Sequence, residues 1–249
     1  MRNLFTAFFL LLVSTARVLA NDELPELKIH KLTEDVYIHT SYKVVEGFGL
    51  VDSNGLIVVL DKGAWIIDTP WSAADTERLL QWIEKRGLVA KGSVSTHFHE
   101  DRTAGIEYLN SRAIPTHASK LTNALLKEAA RPQAANAFDN ATSWLVKDQI
   151  EIFYPGPGHT QDNVVVWLPT QKTLFGGCFV RAKEAHGLGN VSDAFVSEWP
   201  KSAAKLASRY KKAKLVVPGH GHVGDASLVD HTQSLAAQAS KAPSRTPAD

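Results

Sequence analysis

The sequence predicts an α/β domain made of two sheets packed face to face with helices outside. Three observations carry this expectation: a β-rich pattern over residues 27–69, helical periodicity that begins at Ser72, and the same β-then-α order repeated over 150–239. Each half presents one apolar sheet face that has to be buried, and stacking the two sheets achieves that. Composition and periodicity alone leave other α/β layerings open.

Alternation over 27–32 and the β-formers at 36–40 predict two strands, and the continuous apolar runs at 56–60 and 65–67 predict two more. Between them, Gly47, Gly49 and Asn54-Gly55 supply turn chemistry for a flexible hairpin spanning 45–55. Ser72, followed three residues later by Asp75, opens a helix whose apolar face is Leu79, Trp82 and Ile83 and whose stop is Gly87. A short strand at 93–96 then runs into His97, and helices are expected over 103–110 and 119–129. In the second half the pattern predicts strands at 150–154, 164–168, 173–175 and 215–217, with helices at 201–210 and 226–239.

The ends read differently. Residues 1–20 have a basic start, a short apolar run and small residues before Asn21, the three parts of a cleaved signal peptide in order. This predicts export, in a bacterium to the periplasm, and a single domain over 21–240. The apolar run is too short to span a membrane. Residues 241–249, rich in Pro, Ser and charge, are expected to be a disordered tail. Removing Arg2 and Arg17 from 27 basic side chains leaves 25 against 26 acidic ones, a net charge of −1 with histidines neutral. No basic excess is available for a phosphate backbone, so nucleic acid is not an expected partner.

One cysteine, Cys178, is unusual for an exported chain, where thiols normally pair. A buried inert thiol and a metal-bound thiol both fit that count. Its surroundings favour the metal. His97-Phe98-His99-Glu100-Asp101 sets three ligand-type side chains at alternate positions after a predicted strand. Three Gly-rich segments, around His159, Cys178 and His220, each follow another predicted strand. Glycine permits tight turns and close approach, so these strand ends can converge on one rim. His, Cys and Asp together form a donor set that zinc accepts.

These segments, with 67–70, 162–169, 174–179 and 215–220, resemble the metallo-β-lactamase superfamily, and within it the subclass B1, imipenemase-like enzymes. The resemblance covers nearly all of the mature chain. It implies a four-layer αβ/βα sandwich, two Zn2+ ions and hydrolysis of the β-lactam amide bond of penicillins, cephalosporins and carbapenems by a monomer, conferring resistance. It further implies that His97, His99 and His159 hold one ion and Asp101, Cys178 and His220 the other.

By the same resemblance, Asp101 orients the nucleophile and Asn190 stabilises the oxyanion. Arg181, where the family commonly has lysine, meets the substrate carboxylate, and Phe48 sits on a flap over the substrate. Asp68 is expected to accept a hydrogen bond from a metal-binding histidine. Two departures stand out: the arginine at 181 and a longer link, 182–186, between it and Asn190. Thioesterases and lactonases share the His-x-His-x-Asp segment, but they add a histidine where this chain has Arg102 and use aspartate where it has Cys178. A non-catalytic periplasmic zinc binder would close its ligand set around the metal, whereas six ligands shared by two ions leave coordination open.

Overall fold

Strands in the N-terminal half are β1 (Lys28–Lys31), β2 (Val36–Val45), β3 (Gly49–Leu60), β4 (Gly63–Ile67), β5 (Val89–Val94), β6 (Thr116–Ser119) and β7 (Asn136–Phe138), paired in that order in one sheet. The C-terminal half contributes β8 (Ser143–Val146), β9 (Ile150–Phe153), β10 (Val165–Leu168), β11 (Thr173–Gly177) and β12 (Leu215–Pro218), which form a second sheet in the order β12-β11-β10-β9-β8. The computed structural model describes residues 24–139 and 141–241, so the leader expected at 1–20 and the tail from 242 onward lie outside the described residues.

The continuous apolar run of β3 follows from burial on both faces. Leu56 and Val58 point at the partner sheet, where they join Ile150, Ile152, Val166, Phe175 and Val217. Ile57 points the other way, onto Leu79 and Ile83 of helix α1 (Ala73–Glu84). Across the sandwich, Val165, Leu174 and Val216 pack beneath α5 (Trp199–Arg209) and α6 (Ser227–Ala239) through Trp199, Leu206, Leu228 and Ala236. The layers are therefore helix, sheet, sheet, helix: the expected αβ/βα sandwich. No helix among the described residues is long and apolar enough to cross a membrane.

Ser72 caps α1 by accepting from the Asp75 N–H, and Gly87 stops it in the left-handed region at φ +69°. The helix expected over 103–110 is two short ones, α2 (Glu100–Thr103) and α3 (Ile106–Ser111), divided at Gly105, where a Cβ would lie 2.3 Å from the Thr76 hydroxyl. The 119–129 helix is α4 (Lys120–Glu128), capped by Ser119. Three strands, β6, β7 and β8, carry no periodic signal because they are three or four residues long and mix polar with apolar side chains.

The hairpin is tighter than its composition suggests. Strands β2 and β3 pair from Val45↔Gly49 onward, so the turn is only residues 46–48, with Gly47 and Gly49 at φ +77° and +74°. Asn54-Gly55 is not a turn but mid-strand, opposite Thr40 and His39. The glycine is there for space: a Cβ at 55 would lie 2.3 Å from the His39 Nε2 and 2.6 Å from the Ile67 carbonyl. Gly55→Ala should therefore destabilise the fold by about 1–3 kcal/mol, read as a lower urea midpoint; an unchanged midpoint would show that the ring moves freely.

That ring is itself a pH-sensitive element. His39 is 1 % exposed, and its Nε2 donates to the Asp68 carbonyl at 3.0 Å. Burial pushes its pKa down to about 3, against an opposing pull from that hydrogen bond. The unfolded chain takes up a proton below about pH 6.5 while the folded chain stays neutral, so stability is full above that pH and is lost as pH falls toward 3. Between pH 6.5 and 5 the loss is about 2 kcal/mol. Urea midpoints at pH 7 and pH 5 should fall further for wild type than for His39→Gln, and equal falls would assign the acid limb to other groups.

Candidate metal centre

The loops after β5, β9, β11 and β12 open at one edge of the sandwich, and each delivers ligand-type side chains there. Strand β5 ends at Val94, after which Asp68 fixes the chain. Asp68 accepts the Thr96 N–H at 2.7 Å and the Thr96 hydroxyl at 2.8 Å, which aims the next residue, His97, into the interior. His99 stands at the N-cap of α2 and Asp101 in its first turn. Gly158 leaves room for Phe179 and Trp199 against the His159 loop, since a Cβ there would lie 2.5 Å from the Phe179 ring. Gly177, at φ +53°, turns β11 into Cys178, and Gly221, at φ +82°, turns the chain away after His220.

The side chains meet. The rings of His97, His99 and His159 stand edge to face with centroids 4.7, 4.8 and 5.1 Å apart. Beside them, the Asp101 Oδ2 lies 3.3 Å from both the Cys178 Sγ and the His220 Nε2, and those two are 3.2 Å apart. Three overlapping groups result: His97, His99 and Asp101; His97, His159 and Cys178; Asp101, Cys178 and His220. Within each, the ligand atoms lie within 4.8 Å of one another. All six residues singled out in the sequence are brought together.

Their chemistry suits a metal. The His97 Nε2 is fully buried with no hydrogen-bond partner among the described residues, and it faces Asp101 at 4.0 Å. A buried donor or acceptor left alone costs about 1–3 kcal/mol, and a cation would satisfy it. Burial first, then the neighbouring His99, holds His97 well below the ordinary imidazole range, and the same causes act on His159, so both present the neutral form that metals bind.

At His220 the Nδ1 bonds the Asp52 carbonyl. A carbonyl only accepts, so Nδ1 carries a proton whatever the charge on the ring, and Nε2 is the atom that faces Cys178 and Asp101. Burial alone would lower the His220 pKa, but the Cys178 charge and the Asp101 hydrogen bond raise it to about 10, so positive charge is favoured at this spot. Burial would raise Asp101, yet Arg102 outweighs it and holds the carboxyl well below the usual carboxylate range.

Arg102 is the residue that sequence reasoning used only as a contrast with other families. It is wholly buried and donates to Asp101 at 2.9 Å, to the Cys178 Sγ at 3.0 Å, and to the Gly219 and Asn54 carbonyls. Its signal was its position, directly after Asp101, one of the six residues of the cluster. Asp193, also missed, accepts from the His99 Nε2 at 2.9 Å. This corrects the reading of Asp68, whose carboxylate holds Thr96 and Arg102 rather than a site histidine. Asp193 instead provides the carboxylate–histidine contact. The six remaining histidines stay outside the cluster; His222, for example, pairs with Glu184 at 2.7 Å.

Four of the six cluster residues, His99, Asp101, His159 and His220, line a cavity of about 370 Å³ whose walls include Phe48, Val51, Trp71, Arg181, Asn190 and Asp193. Phe48 stands 56 % exposed at the hairpin tip. The longer link after Arg181 does not carry Asn190 away, because Glu184 bonds the His222 N–H and the Ala185 carbonyl accepts from His231. Asn190 accepts the Ser192 N–H through Oδ1, and its amide nitrogen has no hydrogen-bond partner among the described residues. Two larger clefts, about 470 and 480 Å³, lie beside α5, but no histidine or cysteine lines them. Chemistry, not size, selects the site.

Residues 48–220 match the family described as the metallo-beta-lactamase superfamily. A relative from Pseudomonas aeruginosa, named metallo-beta-lactamase type 2, is 53 % identical over 227 residues, 91 % of each chain. One from Bacteroides fragilis with the same name is 38 % identical over 86 % of each. Among solved structures, a crystal structure of DIM-1 metallo-beta-lactamase exposed to ceftazidime is similar at a TM-score of 0.86 and 54 % identity, covering 88 % of this chain and all of that one.

Proposed function

Because the chain belongs to the metallo-β-lactamase superfamily, we propose that it is a two-zinc, imipenemase-like hydrolase that opens the β-lactam amide bond of penicillins, cephalosporins and carbapenems and so confers resistance. It would act as a monomer in the periplasm, as one domain over 21–240 after loss of its leader. The observation that carries this reading is the gathering of three imidazoles and an Asp–Cys–His group, of which His99, Asp101, His159 and His220 line one open cavity.

His97, His99 and His159 would hold one ion, and Asp101, Cys178 and His220 the other. Zinc bound there would supply Lewis acidity and a nucleophilic oxygen at neutral pH. The protein's own groups do the rest. Asp101, kept ionised by Arg102, orients the nucleophile toward the cavity. The free Asn190 amide donates to the lactam carbonyl oxygen as charge develops on it. Arg181, anchored by its Nε to the Gly187 carbonyl at 3.1 Å, presents its guanidinium to the carboxylate beside the ring nitrogen. Phe48 packs on apolar side groups.

Ultraviolet-monitored hydrolysis of one carbapenem and one penicillin, with and without a chelator, tests this. Turnover that the chelator abolishes and zinc restores is expected. Zinc uptake without lactam turnover, alongside hydrolysis of a thioester or lactone, would overturn the substrate assignment.

A further inference from the structure

Strand β3 pairs with β2 from Gly49 to Val58 but with β4 only from Leu56 to Leu60. Residues 49–55 therefore have one edge without a β4 partner, and an open edge needs its backbone groups satisfied. The turn carrying His220 occupies part of it. The Asn54 N–H donates to the Gly219 carbonyl at 2.8 Å, and the Asn54 carbonyl accepts from Arg102 at 2.5 Å.

The Asn54 side chain completes the attachment. It is 3 % exposed, and its Nδ2 donates to the Pro218 carbonyl at 3.1 Å and to the Gly221 carbonyl at 2.8 Å. These two carbonyls flank His220 in the chain. Its Oδ1 accepts from the Thr40 hydroxyl at 2.9 Å, which fixes the amide the right way round. Both donors and the acceptor are used. Of the short side chains, only a primary amide supplies two N–H donors on one atom; aspartate would face both carbonyls with oxygen, and serine offers one hydroxyl.

We propose that Asn54 is a positioning residue for the second metal half-site, its amide clamping the 218–221 turn so that the His220 imidazole meets Cys178 and Asp101. Asp52 on the same strand adds to the grip: its carbonyl bonds the His220 Nδ1, and its carboxylate accepts the Gly221 N–H at 2.8 Å. The first half-site receives nothing from this clamp, because His97, His99 and His159 come from other loops. The inference rests on the two-metal reading of the site and adds to it a residue that neither touches metal nor lines the cavity.

Stepwise zinc affinities, measured by competition with a chromophoric chelator, separate the two sites, and cobalt(II) with its thiolate absorption band reports the Cys178 half-site directly. Asn54→Asp and Asn54→Ser are expected to bind the first equivalent as wild type does and the second about tenfold or more weakly, with a weaker or shifted thiolate band. A purely structural loss would weaken both equivalents together. Thr40→Val, which removes only the hydroxyl that orients the amide, should weaken the second equivalent in the same sense by less, and it serves if the other variants fail to fold. Two equally tight equivalents in wild type and variants would overturn the role of Asn54 alone, whereas a wild type that takes no second equivalent would overturn the two-metal reading and this inference with it.

Discussion

Cys178→Ser is expected to lower lactam turnover by at least about a hundredfold while leaving the fold and the first metal equivalent in place. Removing a group that merely supports a metal ligand typically costs 10–100-fold in affinity or activity, and here the side chain proposed to bind the metal would itself go. The serine hydroxyl matches the thiol in position but does not ionise near neutral pH, so the soft anionic donor beside Asp101 and His220 is lost. Serine keeps an oxygen that Arg102 can reach, so the guanidinium now bonded to the sulfur at 3.0 Å retains a partner and the melting temperature should move little. Zinc content near one per chain with kcat/KM at the wild-type value would defeat the assignment of Cys178 to the reaction.

How much of this was legible beforehand depended on what kind of contact carried it. The six residues of the cluster could be read because each sits in a short segment with chemistry of its own: a His-x-His-x-Asp run, or a ligand-type side chain beside glycines at a strand end. The sandwich could be read because 56–60 and 65–67 are apolar on both faces of a sheet. Asn54-Gly55 misled because the dipeptide has turn chemistry locally, while its actual neighbours, Thr40, His39 and the 218–221 turn, are remote in sequence. Arg102 and Asp193 escaped for the same reason: a guanidinium or carboxylate announces its charge in the sequence, but not the partner it will find. Strands β6, β7 and β8 are too short for periodicity to register, and their pairing is set by neighbours in the sheet.

Arg102→Met should cost the metal-free protein about 3–5 kcal/mol, the usual consequence of removing one partner from a buried charge pair. The guanidinium is 0 % exposed, so solvent screening does not soften the loss. It is the cation facing two buried carboxylates, bonding Asp101 at 2.9 Å and Asp68 at 3.4 Å. Burial already raises Asp68 to about 7 with Arg102 pulling against it, so without the arginine that carboxyl should move further up. The Gly219 and Asn54 carbonyls would also lose a donor, which loosens the His220 turn. Methionine fills most of the volume, so the deficit reports charge and hydrogen bonding more than a cavity.

For a domain of this size the deficit corresponds to a melting temperature lower by roughly 10 °C. Arg102→Lys should recover only part of it, because an ammonium is a point charge and cannot reproduce a planar fork that reaches Asp101, Cys178 and two carbonyls at once. The deficit should be larger under chelator than with zinc in excess, because a dication beside Asp101 and Cys178 supplies positive charge that the variant lacks. Melting within a degree of wild type under chelator would mean that Asp101 and Asp68 find relief elsewhere, and the electrostatic account of why the centre assembles around one buried arginine would have to be abandoned.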